Sequence, residues 1–162
     1  MYSCIQKSFI GFLTTFQSNA LSHYVIIREL DSLITSGCVI WTSSVTGQRY
    51  YYDPSDVQGH KSEDPYGSSK YLVNLISNSV NKQSLVQKSF ICDPGTFNSN
   101  ITAQIMPWPF AFLTPIIYRL MQPFCRKLTC SPPLASNSLV YVFENQESLP
   151  AEDVKVSKNI LS

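Results

Sequence analysis

Charged residues are scarce in this chain. Asp, Glu, Lys and Arg make up 14% of 162 residues, and they nearly cancel to a formal net charge of +1. That balance offers no broad field for a polyanion, so nucleic acid is excluded as an expected partner. The five cysteines, Cys4, Cys38, Cys92, Cys125 and Cys130, form no C-x-x-C pair. The two histidines, His23 and His60, have no ligand partners at metal spacing, so no metal is expected. The cysteines read as reduced thiols of a cytosol-facing protein. No apolar run reaches the roughly 20 residues of a spanning helix. The longest candidate, residues 105–118 ("IMPWPFAFLTPIIY"), is interrupted by Pro107, Pro109 and Pro115. A re-entrant, interfacial or pocket-lining segment fits it better. The N-terminus lacks a basic region ahead of a long apolar one, so secretion is not indicated. There is no internal repeat and no low-complexity tract.

What is present is a globular composition, 44% apolar and 12% aromatic, in a length that suits one domain. The expectation is a single unit over residues 1–150 with a loosely held tail at 151–162. Phe12, Phe16, Leu21, Val25, Ile26, Leu30 and Leu33 recur at helical intervals without a proline, predicting a long helix over residues 12–34. Gly37 stops it, and Cys38 to Trp41 form a short apolar run of strand type ending in Thr42, Ser43 and Ser44. Residues 45–65 are polar and rich in turn residues, a loop long enough to suspect of function. Tyr66, Tyr71, Leu72, Leu75 and Ile76 then give helical spacing to about Val80, and residues 85–92 read as a second strand closed by Pro94 and Gly95. Ser131 and Pro132 mark the start of a last helix, to about Glu144. Helix, strand, helix, strand is the alternation of an α/β protein with a parallel sheet.

The chemistry concentrates at "DPYGSSKYLVNLIS", residues 64–77, where Tyr66 and Lys70 stand one helical turn apart. The spacing alone is weak, since a chain of this composition contains about 0.4 such matches by chance. A helix-surface pair worth a few tenths of a kcal/mol is the competing explanation. Context changes the odds. Ligands of parallel α/β sheets bind outside the carboxyl ends of the strands, where "TSS" and "DPG" both fall. A phenol with an ordinary pKa near 10 donates poorly at neutral pH unless its anion is stabilised, and a nearby ammonium supplies that stabilisation. Tyr66 could then protonate a carbonyl oxygen held by the Ser44 hydroxyl, while hydride comes from a cofactor, because no side chain provides one.

The set "FQSNALSHYVIIREL", "CVIWTSS", "DPYGSSKY" and "DPGTFNSN" resembles the short-chain dehydrogenase/reductase superfamily, in its order of Asn, Ser, Tyr, Lys and Pro-Gly. Within it, "HYVIIREL", "IWTSS" and "PYGSSKY" are most similar to the 3-keto-steroid reductases of sterol biosynthesis. The resemblance implies a partial Rossmann-like, doubly wound parallel sheet, the C-terminal half of such a reductase. It implies NADPH-dependent reduction of a 3-keto sterol to the 3β-alcohol. By position Asn19 would organise a proton-relay water, Ser44 bind the carbonyl, Tyr66 act as acid, and Lys70 bind the nicotinamide ribose as well as assist Tyr66. Pro94, Gly95, Thr96 and Ser99 would pass the nicotinamide, and Trp108 and Phe110 would belong to a lid over a steroid ketone. The resemblance also implies the cytosolic face of the endoplasmic reticulum membrane, by surface association, and allows a homodimer; without it the cytoplasm is the expectation. Ser22 replaces a usual glycine, Ser99 a frequent threonine, and no G-x-x-x-G-x-G or N-A-G stretch occurs in the chain. The pyrophosphate cradle that such a turn provides is therefore without a candidate here. A catalytically silent relative or binding remnant, and a reductase of another ketone, are the alternative readings.

Overall fold

The computed structural model describes residues 7–33, 37–83, 88–97, 116, 119–120, 129–130, 132–150 and 155–157. A helical run, α1, is built from an α-turn at Thr14–Phe16, a π-helical turn at Gln17–Leu21 and a regular helix at Ser22–Leu30. Strand β1 is Cys38–Thr42, helix α2 Pro65–Gln83 and strand β2 Lys88–Asp93. Two-residue strands follow at Thr96–Phe97 (β3) and Thr129–Cys130 (β4), then helix α3 at Pro132–Glu144 and strand β5 at Lys155–Ser157.

The main sheet is parallel, with the order β1-β2-β5. Its register pairs Val39 with Ser89, Trp41 with Ile91 and Cys92 with Val156. Strand period two decides what each face receives. Val39 and Trp41 face α1 and α2, packing with Ala20, Ile27, Val73 and Val80. Ile40 and Phe90 face the other way, against Val142 and Tyr141 of α3. A small parallel sheet covered by helices on both sides is thus a partial Rossmann-like α/β fold.

The polar atoms around Ser89 in this core are paired. The Trp41 indole donates to Ser89 Oγ at 2.9 Å, and the Ser77 hydroxyl lies 2.8 Å from the same oxygen. Asn81, near the end of α2, accepts from Ser89 N at 2.7 Å and donates to Ser89 O at 2.8 Å. The side chain thereby acts like a strip of backbone, fixing where α2 hands over to β2.

The expected helices and strands stand close to where periodicity put them, with three differences. The first helix ends at Leu30 rather than near residue 34, and it contains a π-turn, which widens the helix by one residue at Asn19 and leaves no mark on apolar spacing. The loop at residues 45–65 contains a 3-10 turn at Arg49–Tyr51 and is tied down locally, since Asp53 accepts from the backbone N and the hydroxyl of Ser55, each at 2.8 Å. Within the segment expected to be a loose tail, Lys155–Ser157 pairs as the third strand of the sheet. Most of the expected lid at 105–118 lies outside the described residues.

Candidate active site

Four elements bring the site together: the π-turn of α1, the end of β1, the first turns of α2 and the end of β2. Pro65 opens α2 because its fixed φ suits the first helical position, where an N–H would lack a partner anyway. Tyr66 and Lys70 follow on one side of the helix, one turn apart. Ser44 leaves the end of β1, its hydroxyl 3.1 Å from Thr46 Oγ1 and 3.3 Å from the Thr46 backbone N. The same hydroxyl hydrogen-bonds the Tyr66 side chain.

Two glycines permit the close approach of this loop to α2. A Cβ on Gly47 would stand 3.2 Å from backbone C and from Cβ of Lys70. A Cβ on Gly67 would meet Asp64 Oδ2 at 2.5 Å, the Thr46 carbonyl at 2.7 Å and the Tyr51 ring at 2.9 Å. Loop and helix N-terminus therefore fit together only with glycine next to the tyrosine.

Lys70 crosses from α2 to β1, where its Nζ donates to Thr42 O at 2.9 Å. The ammonium also lies 5.6 Å from the centroid of the Tyr66 ring, within the reach of a cation–π contact. Asn19 donates from Nδ2 to Ser69 Oγ at 2.9 Å, and Ser69 donates onward to the Tyr66 carbonyl at 2.7 Å. This tie holds the π-turn of α1 against the turn that carries Tyr66. Ser69, Thr46 and Thr42 were missed by sequence reasoning, because a hydroxyl or carbonyl that positions another group has no spacing of its own.

The electrostatics differ from the expectation in one respect. Burial is the largest influence on the Tyr66 phenol and pushes its pKa above the usual value of 10, although the residue as a whole is exposed. The Ser44 hydrogen bond pulls it down, while the Asp64 and Asp93 charges push it up further. A lowering by Lys70 is not among these influences. The ammonium sits against the ring face and is committed to Thr42 O, and burial lowers its own pKa. In this state the surroundings favour the neutral form of both groups.

At the end of β2, Gly95 takes φ +73, and its N–H donates to Asp93 Oδ1 at 3.0 Å. This turn faces Tyr66 closely enough for the Asp93 charge to be felt there. Of Thr96 only the backbone, in β3, is described, and Ser99, Trp108 and Phe110 lie outside the described residues. A cavity of about 230 Å³ opens beside Lys70, bordered by Asn19, His23 and four consecutive residues of β1, Val39 to Thr42. Residues of both strand parities border it, so it lies along the β1 edge away from β2. A larger hollow of about 280 Å³ in the 45–65 loop includes neither Tyr66 nor Lys70; chemistry, not size, makes the smaller one relevant.

Comparison with known proteins gives the same direction. The chain is 34% identical over 149 residues to the rat "3-keto-steroid reductase/17-beta-hydroxysteroid dehydrogenase 7", covering 86% of this chain and 44% of that protein. It is 33% identical over 148 residues to the human protein of the same name, with 86% of this chain and 43% of the relative covered. A 3-keto-steroid reductase of Yarrowia lipolytica is 30% identical over 104 residues, 62% of this chain and 30% of the relative. The chain thus spans less than half the length of the curated relatives it matches. No family model and no solved structure matches it. With Asn, Ser, Tyr and Lys in the order and on the elements described, and this similarity running over most of its residues, the chain belongs to the short-chain dehydrogenase/reductase superfamily and is a relative of its 3-keto-steroid reductases.

Proposed function

We propose that this chain carries the ketone-reducing half of a short-chain reductase, acting with NADPH on a 3-keto sterol to give the 3β-alcohol. The observation that carries the reading is the Ser44–Tyr66 hydrogen bond beside Lys70, at the carboxyl end of a parallel sheet. The residues present fit the nicotinamide end of a dinucleotide. Lys70 lies beside Tyr66, and the left-handed turn at Gly95 leaves room for close approach at the end of β2. No residue here is assigned to the pyrophosphate.

When bound, the nicotinamide supplies hydride to the carbonyl carbon. The remaining steps belong to this chain. Ser44 donates a hydrogen bond to the substrate oxygen and fixes its position between hydride and acid. Tyr66 gives its phenolic proton to that oxygen as negative charge develops there, and is left as phenolate. Lys70, one turn along, stabilises the phenolate and binds the ribose. Pro94, Gly95, Thr96 and Ser99 hold the nicotinamide against the site, with Asn19 keeping a water of the proton supply. Trp108 and Phe110, outside the described residues, would by the resemblance belong to a lid over the steroid. Among the described residues no helix is long and apolar enough to cross a membrane. The endoplasmic reticulum location and the homodimer are carried as part of the same proposal.

A second reading, a silent relative that binds no cofactor by itself, is favoured by one observation: the absence of a glycine-rich turn from this chain. One experiment separates the two. NADPH is titrated into the purified chain by nicotinamide fluorescence, and a 3-keto sterol is then added and the product identified. Saturable binding with sterol alcohol formed, lost by about 10²–10⁴-fold in Tyr66→Phe, supports the reductase. Absence of binding supports the silent relative, and full activity in Tyr66→Phe removes that residue from the mechanism.

A further inference from the structure

We infer that Thr46 fixes Ser44 as a hydrogen-bond donor while negative charge develops at the site. Thr46 is a positioning residue, acting through Ser44 without touching substrate. This deepens the reductase reading and rests on it for what the donated hydrogen serves; the hydroxyl geometry stands apart from it.

Residues 44–47 close a tight turn, in which Gly47 N donates to Ser44 O at 3.0 Å. The turn folds Thr46 back onto the Ser44 side chain twice. Its backbone N–H donates to Ser44 Oγ at 3.3 Å, and its hydroxyl oxygen lies 3.1 Å from the same atom. Thr46 is held there by Gln48, whose N–H donates to Thr46 O at 2.7 Å. A serine hydroxyl has one hydrogen and two acceptor positions. The Thr46 N–H fills one acceptor position, so the bonds to Tyr66 and to Thr46 Oγ1 divide the other position and the single hydrogen between them. The three hydroxyls therefore donate one way along a chain, Tyr66 to Ser44 to Thr46, or the other way.

While the phenol is neutral, both directions satisfy all three oxygens. Once the phenol has lost its proton it can only accept, and so can the substrate oxygen as it takes up negative charge. The Ser44 hydrogen then goes to one of them. Ser44 can then only accept from Thr46, whose own hydrogen turns toward it. No O–H bond breaks at Ser44 or Thr46; the hydrogen bonds alone change direction. Two donors from Thr46 on one oxygen polarise Ser44 and strengthen the bond it gives, because hydrogen bonds in a chain reinforce one another. The gain is realised only when an anion is present, so it lowers the barrier without tightening substrate. Valine at this position would keep the shape and the backbone N–H and leave Ser44 one donor short.

The test reads Tyr66 itself, without cofactor or substrate: the fraction ionised at pH 10, from the 295 nm difference between each chain and the same chain carrying Tyr66→Phe. Thr46→Val should lower that fraction by about two- to tenfold, the worth of one hydrogen bond. Thr46→Ser, which keeps the oxygen, should leave it at the parent value. In a Ser44→Ala chain Thr46→Val should change nothing further, whereas a general disturbance of the loop would still act. Asp64, Asp93 and Lys70, the charged groups felt at Tyr66 or lying against its ring, stay in place throughout. An equal or larger ionised fraction in Thr46→Val overturns the assignment, as does a Thr46→Ser chain that behaves like Thr46→Val, or an undiminished effect in Ser44→Ala. If Thr46→Val fails to fold, Thr46→Ala takes its place with the same outcomes. Turnover with NADPH and a 3-keto sterol is measured beside it, and kcat should fall in Thr46→Val at unchanged KM. A lowered ionised fraction in a chain that reduces no sterol sinks the reductase reading and leaves the role of Thr46 standing. Turnover with an unmoved fraction does the reverse.

Discussion

Replacing Gly67 by alanine sets two effects of known size against each other. Alanine is the better helix former by about 1 kcal/mol, which by itself would stabilise α2. The new methyl, however, would meet three atoms inside 3.0 Å: Asp64 Oδ2 at 2.5 Å, the Thr46 carbonyl oxygen at 2.7 Å and Tyr51 Cδ2 at 2.9 Å. The carboxylate is the end of a flexible side chain and can turn away. The Thr46 carbonyl belongs to the turn after Ser44, where it accepts from Gln48 N at 2.7 Å, and the Tyr51 ring packs at a 47° tilt against Tyr50, with centroids 4.1 Å apart. Neither moves alone. Overpacking of this kind costs about 1–3 kcal/mol, and with two of the three clashing groups held in place the upper part of that range applies, so after the propensity gain Gly67→Ala comes out less stable by up to about 2 kcal/mol. In a chain of this length that corresponds to a Tm lower by up to roughly 8 °C. Guanidinium unfolding followed by circular dichroism measures it. Because the strain runs through Thr46 to Ser44, the loss in turnover should exceed any change in KM. A Gly67→Ala protein as stable as the parent, or more so, would refute the packing argument.

Two further predictions concern single groups. Tyr66 should ionise above pH 10, because burial and the Asp64 and Asp93 charges favour its neutral form; the 295 nm difference between the parent chain and Tyr66→Phe should be less than half developed at pH 10. A midpoint below 10 would show that Lys70, not burial, governs the phenol. Ser89→Ala should cost about 2–4 kcal/mol, since it strips the partner from the Trp41 indole N–H and from the Ser77 hydroxyl, both buried. Adding Ser77→Ala should recover part of that loss in denaturant unfolding, and a cost below about 0.5 kcal/mol would mean that water or a rotated hydroxyl fills the gap.

How much of this was legible in the sequence depends on the kind of signal. Apolar periodicity located α1 and α2, because one buried face fixes each helix, and the Ser131–Pro132 start signal located α3. The expected strands, Cys38 to Trp41 and residues 85–92, overlap the observed "CVIWT" and "KSFICD", because a strand covered on both faces is mostly apolar, with Thr42, Lys88, Ser89 and Asp93 as the exceptions. The π-turn was not legible: it changes hydrogen bonding by one residue and leaves the composition alone. The third strand was missed for a different reason. Lys155, Val156 and Ser157 are too few to form a pattern, and they acquire strand geometry from β2, a partner far away in sequence. In the site, the Tyr66–Lys70 spacing and the strand-end serine were readable by position. Their protonation was not. The expectation that Lys70 lowers the phenol weighed charge against charge, whereas desolvation of the hydroxyl is the largest influence, with the neighbouring Asp64 and with Asp93, which the fold brings from the end of β2, acting in the same direction.

That direction bears on which way the chemistry runs. A reductase needs Tyr66 in the acid form at the start of each cycle, whereas the reverse reaction, alcohol dehydrogenation, needs the phenolate. A pKa raised above its usual value keeps the acid form present throughout the neutral range, which suits the reduction proposed above. With Tyr66 raised and Lys70 lowered by burial, the phenolate gains proton affinity as the amine loses it, which favours transfer from ammonium to phenolate. The consequence can be measured. With a steroid ketone, turnover at saturating substrate should stay level through neutral pH and decline only as the phenol ionises, above pH 10. With the corresponding alcohol it should rise with pH over the whole accessible range, because the required phenolate grows tenfold per pH unit while it remains the minor form. An oxidation rate already level at pH 8 would mean that Tyr66 ionises near neutrality, and the balance of burial against charge derived for it would be wrong.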